Sequence, residues 1–521
     1  MKQDGADLVV VGAGSAGAVV ASRVSERSDR EVLLVEAGPD YPDLARLPRD
    51  LVDGTRNSWR EHDWGYDFKP TVEQRVRFAF PRGKVVGGSS AVNTCIALRG
   101  HAYDFDEWAA RGLPEWTFEE CLRAFVRLED DRDFGDAPYH GKGGPIPVRR
   151  HPPRELCAWQ SAFVEACREL GHPACADTND PDTKGGVGPQ AMNKIDGVRM
   201  SAARGYLTSA VRARPNLRIR ANTLAHRVVF EGGRVAGLEV STAGEVEVLR
   251  ARRVVLSAGA IATPGVLLRS GVGPRRELER LGVDLVSDVP AVGARLLDHP
   301  GTAIILAPRG VAVSTKDALI QTMLRYTSGD QLASPRAEHP LDMQIQAGSF
   351  LPLHPLLTLP AITLMCCVGK PRGAGTIRFP SADPRAAPLI EGRMLEEPQD
   401  HARAVEAVTT MYAILRTRAM KGLFHFFWPS RAVISDKEAL GHWIGKSTGS
   451  GYHPCGTAPM GAEGDVEAAT DGRGQVRGAP GLIVADASLM PTVPSANTNL
   501  PSLMIGERFG AWLRDELDAF A

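Results

Sequence analysis

The chain has 521 residues and a formal net charge of −1 at pH 7, so its charge balance does not indicate nucleic acid or an anionic membrane as a partner. A hydrophobic content of 43% is ordinary for a globular protein, and this length allows two large domains. The eight cysteines are scattered, and no close spacing of His, Cys and acidic residues indicates a bound metal. We find no secretion signal and no run of about eighteen apolar residues, so we expect a cytoplasmic protein without a membrane span.

The most informative segment is LVVVGAGSAG at residues 8–17. Its first four residues predict a short buried parallel strand, and an amphipathic helix is expected over residues 18–27. Between them, Gly12, Gly14 and Gly17 have the G-x-G-x-x-G spacing. The first glycine permits a tight turn, the second lets the backbone approach a pyrophosphate, and the third lets helix and strand pack closely.

Glu36 strengthens this interpretation. It ends a second predicted strand, EVLLVE, where a carboxylate can accept hydrogen bonds from a ribose diol and disfavours a 2′-phosphate. An ordinary glycine-rich turn explains the glycines but not this acid. The segment therefore predicts dinucleotide binding, with NADP as the least favoured ligand.

Further elements follow along the chain. Helical periodicity predicts helices over residues 104–110, 118–128, 155–170, 263–269, 400–416 and 503–518. Strands are expected within 216–242, 251–257, 341–350, 361–370, 373–379 and 481–491. The last of these is a buried run that we expect to return to the nucleotide-binding sheet.

This order predicts an α/β fold with a discontinuous nucleotide-binding domain of the Rossmann type. We expect that domain to comprise residues 1–155, 200–300 and 440–521. Residues 156–199 and 301–439 lack nucleotide signatures, and we expect them to form a substrate-binding domain with an antiparallel sheet covered by helices.

A second loop, RGKVVGGSSAVN at residues 82–93, is dense in small residues that let a backbone press against a flat ring or a phosphate. From this loop to residue 106, and again in GAIATPGVLLRSGVG at 259–273, the chain resembles the glucose–methanol–choline (GMC) oxidoreductases. VGARLLDHP at 292–300 fits a third family motif, except that Ala294 replaces the usual Asn. HPCGTAPMG at 453–461 and the segment 485–508 are also typical, and ANTNLP at 496–501 is most similar to bacterial alcohol and hydroxymethylfurfural oxidase-like and choline dehydrogenase-like members.

The resemblance implies a bound FAD. Because Val92 stands where some members attach the flavin through a His, it also implies that the FAD is held without a covalent link. The residues that it assigns to the cofactor are Gly12, Gly14, Ser15, Ala16, Gly17, Glu36, Ala37, Arg82, Gly83, Val85, Gly88, Ser89, Asn93, Thr94, Cys95, Ile96, Val228, Ala258, Gly259, Asp486, Ala487, Asn497, Thr498, Asn499 and Leu500.

His453 is the expected catalytic base, because imidazole titrates near neutrality and this residue lies in a rigid turn before Pro454. The resemblance places Asn497 opposite it, as the group that orients the alcohol. Tyr452, Met365, Cys367 and Phe427 are expected to line the substrate pocket. His299 is expected to be a buried residue that holds a domain junction.

These residues indicate an FAD-dependent enzyme that oxidises an alcohol to an aldehyde and passes electrons to O2 or to another acceptor. Two alternatives stay open. One is a hydroxynitrile lyase that keeps a non-redox FAD, and the other is a flavin-binding protein without catalysis. The sequence does not name the alcohol.

Overall fold

A parallel sheet joins segments that are far apart in the chain. The computed structural model describes residues 5–58, 61–329, 339–354 and 357–520, and five of the strands in these ranges lie side by side. In spatial order they are Leu217–Arg220, Val32–Val35, Leu8–Val11, Val254–Leu256 and Leu482–Val484. The three central strands are buried along their whole length, as expected for a parallel sheet covered on both faces. The expected return of the last strand to this sheet is confirmed.

The last long helix, Asn499–Asp515, packs against the first, Gly17–Val24. The two backbones can come close because residue 506 is a glycine. A Cβ at this position would lie only 2.8 Å from the carbonyl oxygen of Ala16. Glu507, which is fully buried, accepts hydrogen bonds from Arg23 at 2.8 Å and from the Tyr206 hydroxyl at 2.6 Å. This packing brings the N-terminus of the last helix to the first glycine turn.

A second sheet is antiparallel and contains seven of the described strands. In spatial order they are Phe424–Trp428, Pro300–Pro308, Ile362–Val368, Met343–Gly348, Thr322–Tyr326 and Gly186–Pro189, with Gly449–Ser450 also paired to Pro300–Pro308. Helix Pro398–Leu415 packs on one face of this sheet. The opposite face is turned toward the nucleotide-binding half and lines a cavity.

The other described elements connect or cover the two sheets. A three-stranded antiparallel sheet consists of Thr223–Glu231, Arg234–Thr242 and Glu245–Arg250. Short paired strands are Asp67–Phe68 with Phe78–Ala79, Glu129–Asp131 with Ile146–Val148, Lys194–Ile195 with Val198–Arg199, Val272–Gly273 with Ser287–Asp288, Leu351–His354 with Leu357–Leu359, and Thr376–Arg378 with Leu389–Glu391. The remaining helices are Arg49–Val52, Ala102–Ala110, Phe118–Leu128, Ala158–Glu169, Ala202–Tyr206, Ser209–Arg212, Gly259–Arg269, Arg275–Leu281, Arg431–Ser435 and Lys437–Ser447. None of the helices in the described ranges is long and apolar enough to cross a bilayer.

The expected helices are present, with shifted ends that have local causes. The helix expected from residue 503 begins at Asn499, since Pro501 falls in the first turn, where its missing N–H is not needed. The helix expected from residue 263 begins at Gly259 and contains Pro264. That proline leaves the carbonyl of Ala260 without its helical partner, and the Thr457 hydroxyl donates to this carbonyl at 2.7 Å.

The expected strand at 373–379 is short and pairs outside the large sheet.

Buried polar contacts anchor the chain just after the second glycine loop. The Arg99 side chain donates to Glu129 and to the carbonyl oxygen of Tyr139. The backbone N–H of Arg99 donates to Asn179 Oδ1, whose amide donates to the Ala97 carbonyl oxygen at 2.8 Å. The loop is therefore held from its far end by groups that water does not reach.

His140 lies at the centre of the same network, between three carboxylates. Its Nε2 is 2.8 Å from Asp177, and its Nδ1 is 3.1 Å from Glu129 and 3.2 Å from Asp131. Arg150 donates to both Asp131 and Asp177. Burial opposes protonation of His140, but hydrogen bonds to Asp177 and Glu129 outweigh it and raise its pKa. The raised pKa favours the protonated form of His140, whose positive charge would add to those of Arg99 and Arg150 beside the three carboxylates.

We expect replacement of His140 by Gln to destabilise the protein by about 3 kcal/mol at pH 6, because the three buried carboxylates then share only the positive charges of Arg99 and Arg150. Because the folded-state pKa lies above the ordinary value of about 6.5, this contribution is complete at lower pH and is lost as the pH rises through the folded-state pKa. Unfolding followed by circular dichroism at several pH values measures the difference. His442→Gln is the matched control, since that side chain is 65% exposed. A gap that widened with rising pH would contradict the assignment.

Candidate active site

A cavity of about 600 Å³ lies between the parallel sheet and the antiparallel sheet, a size within the range of small-molecule sites. Both glycine-rich loops, the start of the last helix and the turn around His453 line it. Of the residues predicted to bind the cofactor, those in its wall are Gly12, Gly14, Ser15, Ala16, Glu36, Ala37, Arg82, Gly83, Gly88, Ser89, Asn93, Thr94, Ile96, Ala258, Gly259, Asp486, Ala487, Asn497, Thr498 and Asn499.

The described wall of the cavity does not include Gly17, Val85, Cys95, Val228 or Leu500. Gly17 does not line the cavity but lets helix and strand pack closely, which is its predicted role. A Cβ at this position would lie 1.9 Å from the Gly12 carbonyl oxygen. The backbone N–H of Val228 donates to the Ser270 hydroxyl at 2.8 Å and so is not free for a ligand. The same strand reaches the cavity three residues earlier, at Ala225.

The two glycine-rich loops touch each other. Gly12 has a φ of +95°, which its tight turn requires, and Gly88 has a φ of +51°. A Cβ at Gly88 would lie 2.7 Å from the Cα of Gly14. The loops can thus form one continuous cradle of small residues only because neither carries a side chain at this contact.

Glu36 lies at one end of the cavity, where its carboxylate joins both strands of the first βαβ unit. Oε2 accepts from the N–H of Ala13 and Oε1 from the N–H of Gly38, each at 2.9 Å. Burial raises the pKa of Glu36 to about 7, against the opposing effect of these backbone donors. Each carboxylate oxygen keeps acceptor capacity for a ribose hydroxyl.

Two lining side chains from the segment around the start of the last helix have polar atoms without partners among the described residues. Asn499 Oδ1 accepts from the Ser15 hydroxyl at 3.0 Å, but its Nδ2 has no partner among the described residues. Asn497 Oδ1 likewise lacks one. Because unpaired buried amide groups are costly, these atoms indicate a polar ligand. Asp486, in contrast, is fully engaged by the Gly259 N–H at 2.8 Å and the Thr263 hydroxyl at 2.6 Å.

His453 is held in place by the segment around Asp298. The carboxylate of Asp298 accepts from the backbone N–H of His453 at 2.9 Å and of His299 at 2.7 Å, and from the Ser450 hydroxyl. Leu297 and Cys455 exchange two backbone hydrogen bonds of 3.0 and 2.9 Å. The two segments therefore run side by side, which fixes the turn that carries the imidazole.

The imidazole of His453 has one partner on each side. Its Nε2 lies 2.8 Å from Asn497 Nδ2, so the structure brings together the two residues predicted as catalytic. Its Nδ1 lies 2.8 Å from Nδ1 of His299. Sequence reasoning assigned His299 only to a domain junction and gave Asp298 no role. Their adjacency within the DHP motif was the available signal, but their contact with His453 spans more than 150 residues of chain.

Burial in the cavity wall lowers the pKa of His453 well below its ordinary value, and the neighbouring His299 and the positive charge of Arg82 lower it further. Burial likewise lowers the pKa of His299 to about 4. Both imidazoles are therefore neutral at pH 7. A neutral imidazole at the cavity surface can accept a proton.

The predicted substrate-binding residues lie on the antiparallel side of the cavity. Met365 and Cys367 alternate along one strand toward the cavity, and their cross-strand partners Gln346 and Gln344 also line it. Tyr452 lines it beside His453 and is 38% exposed. Phe427 belongs to the edge strand, but its side chain lies outside the described part of the structure. Its neighbour in sequence, Trp428, lines the cavity.

The residues present fit an FAD. The glycine cradle accepts a pyrophosphate at the N-terminus of the first helix, and Glu36 offers acceptors to a ribose at one end. At the start of the last helix, the Asn499 amide, which lacks a partner among the described residues, would offer donors to the carbonyl oxygens of a flavin. Val92 lines the cavity and has no group that can bond covalently to a flavin.

Comparison with known proteins identifies close parallels. Two family models, both described as GMC oxidoreductase, match residues 6–301 and 371–506. The chain is 33% identical to the 5-(hydroxymethyl)furfural oxidase of Methylovorus sp. (strain MP688), over 96% of this chain and 97% of that protein. It is also 33% identical to an oxygen-dependent choline dehydrogenase of Rhizobium etli, over 96% of this chain and 94% of that protein. Among solved structures, pyridoxine 4-oxidase from Mesorbium loti superposes with a TM-score of 0.87 at 28% identity, over 97% of this chain and 98% of that one.

The similarity covers both sheets and not just the nucleotide-binding motif, because the matched shares are nearly complete in both directions. The family resemblance, the expected fold class and the expected FAD cofactor are confirmed. The chain therefore belongs to the GMC oxidoreductase family, and it is an FAD-dependent flavoprotein oxidoreductase.

Proposed function

We propose that the protein oxidises an uncharged primary alcohol to an aldehyde. The observation that carries this proposal is the His453–Asn497 pair, whose facing nitrogens are 2.8 Å apart on the wall of the cofactor cavity. When bound, FAD supplies the acceptor for a hydride from the alcohol carbon. The FAD-binding residues in this proposal are the predicted ones that line the cavity, in a discontinuous domain of residues 1–155, 200–300 and 440–521.

His453 and Asn497 have different roles toward the hydroxyl group of the substrate. A bound hydroxyl group replaces the contact between these two nitrogens: it accepts a hydrogen bond from the Asn497 amide and donates to the single lone pair on Nε2 of His453. As the carbon loses its hydride, His453 takes the hydroxyl proton, and the amide stabilises the negative character that develops on the oxygen. The low pKa of His453 keeps Nε2 unprotonated and ready at neutral pH.

The charges around the cavity favour an uncharged substrate over a quaternary ammonium alcohol. Among the described lining residues, Glu36 and Asp486 are the only acids, and both already accept hydrogen bonds at the cofactor side. Arg82 adds a positive charge on the same wall as His453. The hydroxyl of Thr363 is buried without a partner and offers a neutral polar contact instead.

The relatives support alcohol oxidation but differ in substrate. Their names include an oxidase of hydroxymethylfurfural, an oxidase of pyridoxine and a dehydrogenase of choline. Ile96, Phe350 and Met365 line the cavity and belong to or pack against one apolar cluster, which also contains Ala496, the residue before Asn497. This composition suits a flat or branched apolar alcohol.

We expect His453→Ala to slow anaerobic reduction of the flavin by alcohol by about 10²-fold or more, because a general base contributes at least this factor. Stopped-flow absorbance of the oxidised flavin band measures it. FAD content is expected to stay at the parental level. His442→Ala serves as the control, since this exposed side chain is outside the cavity. Equal reduction rates for His453→Ala and the parent would overturn the role of His453, and cyanohydrin cleavage with a flavin that stays oxidised would favour a lyase.

The matched pair choline and 3,3-dimethylbutan-1-ol tests the charge argument, because the two alcohols have similar shapes and differ by the quaternary charge. We expect the uncharged alcohol to reduce the flavin with a kcat/KM about tenfold or more above that of choline, since desolvating an unpaired cation costs at least about 1.4 kcal/mol. A preference for choline would contradict the proposed substrate class. Reoxidation of the reduced flavin with and without O2 then identifies the acceptor.

FAD is expected to leave the protein on denaturation, since Val92 provides no covalent attachment. Acid precipitation of the yellow protein should release the whole flavin absorbance into the supernatant as FAD. Intact mass of the denatured chain should equal the mass of the polypeptide. A pellet that kept its flavin fluorescence on a denaturing gel would contradict this expectation.

A further inference from the structure

The hydrogen bonds around His453 involve both ring nitrogens of His299. The Nε2 of His299 is 3.0 Å from the carbonyl oxygen of Pro494. A carbonyl can only accept, so this nitrogen carries a proton and donates it. A neutral imidazole has one N–H, so Nδ1 of His299 carries a lone pair.

This lone pair determines the state of the next ring. Nδ1 of His299 lies 2.8 Å from Nδ1 of His453, and two lone pairs at this distance would repel. Nδ1 of His453 therefore carries the proton and donates it to His299. The lone pair of His453 is then on Nε2, where the Asn497 amide can donate to it over 2.8 Å.

From this chain of hydrogen bonds we infer that His299 is the positioning residue that selects the tautomer of the catalytic base. Anchored by the Pro494 carbonyl, it holds the His453 proton on Nδ1 and the basic lone pair on Nε2, toward the substrate. The inference rests on the proposed function for the role of His453, but the tautomer itself is a property of the protein without substrate.

Burial and backbone geometry make the selection effective. His299 is 1% exposed, so water does not compete for its nitrogens. Asp298 binds the backbone N–H groups of both His299 and His453, which keeps the two rings in register. Gly451 packs against both, since a Cβ there would lie 3.0 Å from Nδ1 of His453 and 3.1 Å from the Cβ of His299. The imidazole rings of His299 and His453 are therefore held in the orientations in which they form these hydrogen bonds.

The orienting group is a neutral imidazole and not a carboxylate. A carboxylate at this place would stabilise the protonated base strongly and raise its pKa. His299 fixes the same proton without adding a negative charge. When His453 takes the substrate proton on Nε2, the bond from its Nδ1 to His299 becomes charge-assisted and strengthens.

Nitrogen-15 NMR of histidine-labelled holoenzyme tests the inference directly. The His453 signals, identified by their loss in His453→Gln, should show a protonated Nδ1 and an unprotonated Nε2 in the parent without substrate. His299 should show the reverse. A protonated Nε2 on His453 would overturn the inference, whatever the activity of the enzyme.

Two substitutions complete the test. His299→Leu removes the acceptor, and we expect it to move the His453 proton to Nε2 and to slow anaerobic flavin reduction by about tenfold or more, the loss of one buried hydrogen bond of about 1.4 kcal/mol. His299→Gln keeps an acceptor and a donor in one side chain, and it should restore both the tautomer and most of the rate. Parental rates and tautomer in His299→Leu would refute the inference.

The outcomes separate the two proposals. If no alcohol reduces the flavin of the parent, the proposed function fails while the tautomer measurement still stands or falls by itself. If the parent is reduced and His299→Leu behaves like it, only the role of His299 fails. If His299→Leu does not fold, the measurement on the parent still decides the tautomer.

Discussion

The carboxylate of Asp298 is the interaction on which the active-site geometry depends. It accepts hydrogen bonds from the His453 and His299 backbones and from the Ser450 hydroxyl, and so clamps two segments that are about 150 residues apart. Burial raises its pKa to about 6, against the opposing effects of these donors and of Arg82. Together with the backbone bonds between Leu297 and Cys455, this clamp places the turn at residues 450–455 on the cofactor cavity, since the turn contains little regular structure of its own.

The segment that follows this turn is also attached to a helix of the nucleotide-binding half. Pro264 interrupts the hydrogen bonding of helix Gly259–Arg269, and Thr457 supplies the donor that the Ala260 carbonyl lacks. The helical carbonyl that Pro264 leaves without a donor therefore binds the segment that contains His453 and Thr457. The imidazole of His453 is thus held through Asp298 on one side of the turn and through the helix Gly259–Arg269 on the other, as the proposed role of a reacting group requires.

The charged side chains that line the cavity differ between the nucleotide-binding region and the wall beside His453. Glu36 and the glycine cradle serve the nucleotide end, whereas the described wall beside His453 carries a positive guanidinium, neutral amides and apolar side chains. Burial lowers the pKa of His453, and the neutral His299 contacts its imidazole without adding a negative charge. Hydride removal from an alcohol generates negative character on oxygen, and such surroundings stabilise that oxygen better than they would a cation.

The sequence by itself determined the nucleotide-binding turn, most helices and the family, because these depend on local spacing and on motifs that lie within a few residues of each other. Gly12, Gly14 and Gly17 reveal their roles through spacing alone, and His453 and Asn497 could be named from family motifs. Only the tertiary structure decided that His299 touches His453, that Val228 lies away from the cavity, and that the two glycine loops meet at Gly14 and Gly88. These facts depend on contacts between distant segments, whose geometry is set by packing of whole sheets and helices and leaves no periodic or local trace in the chain.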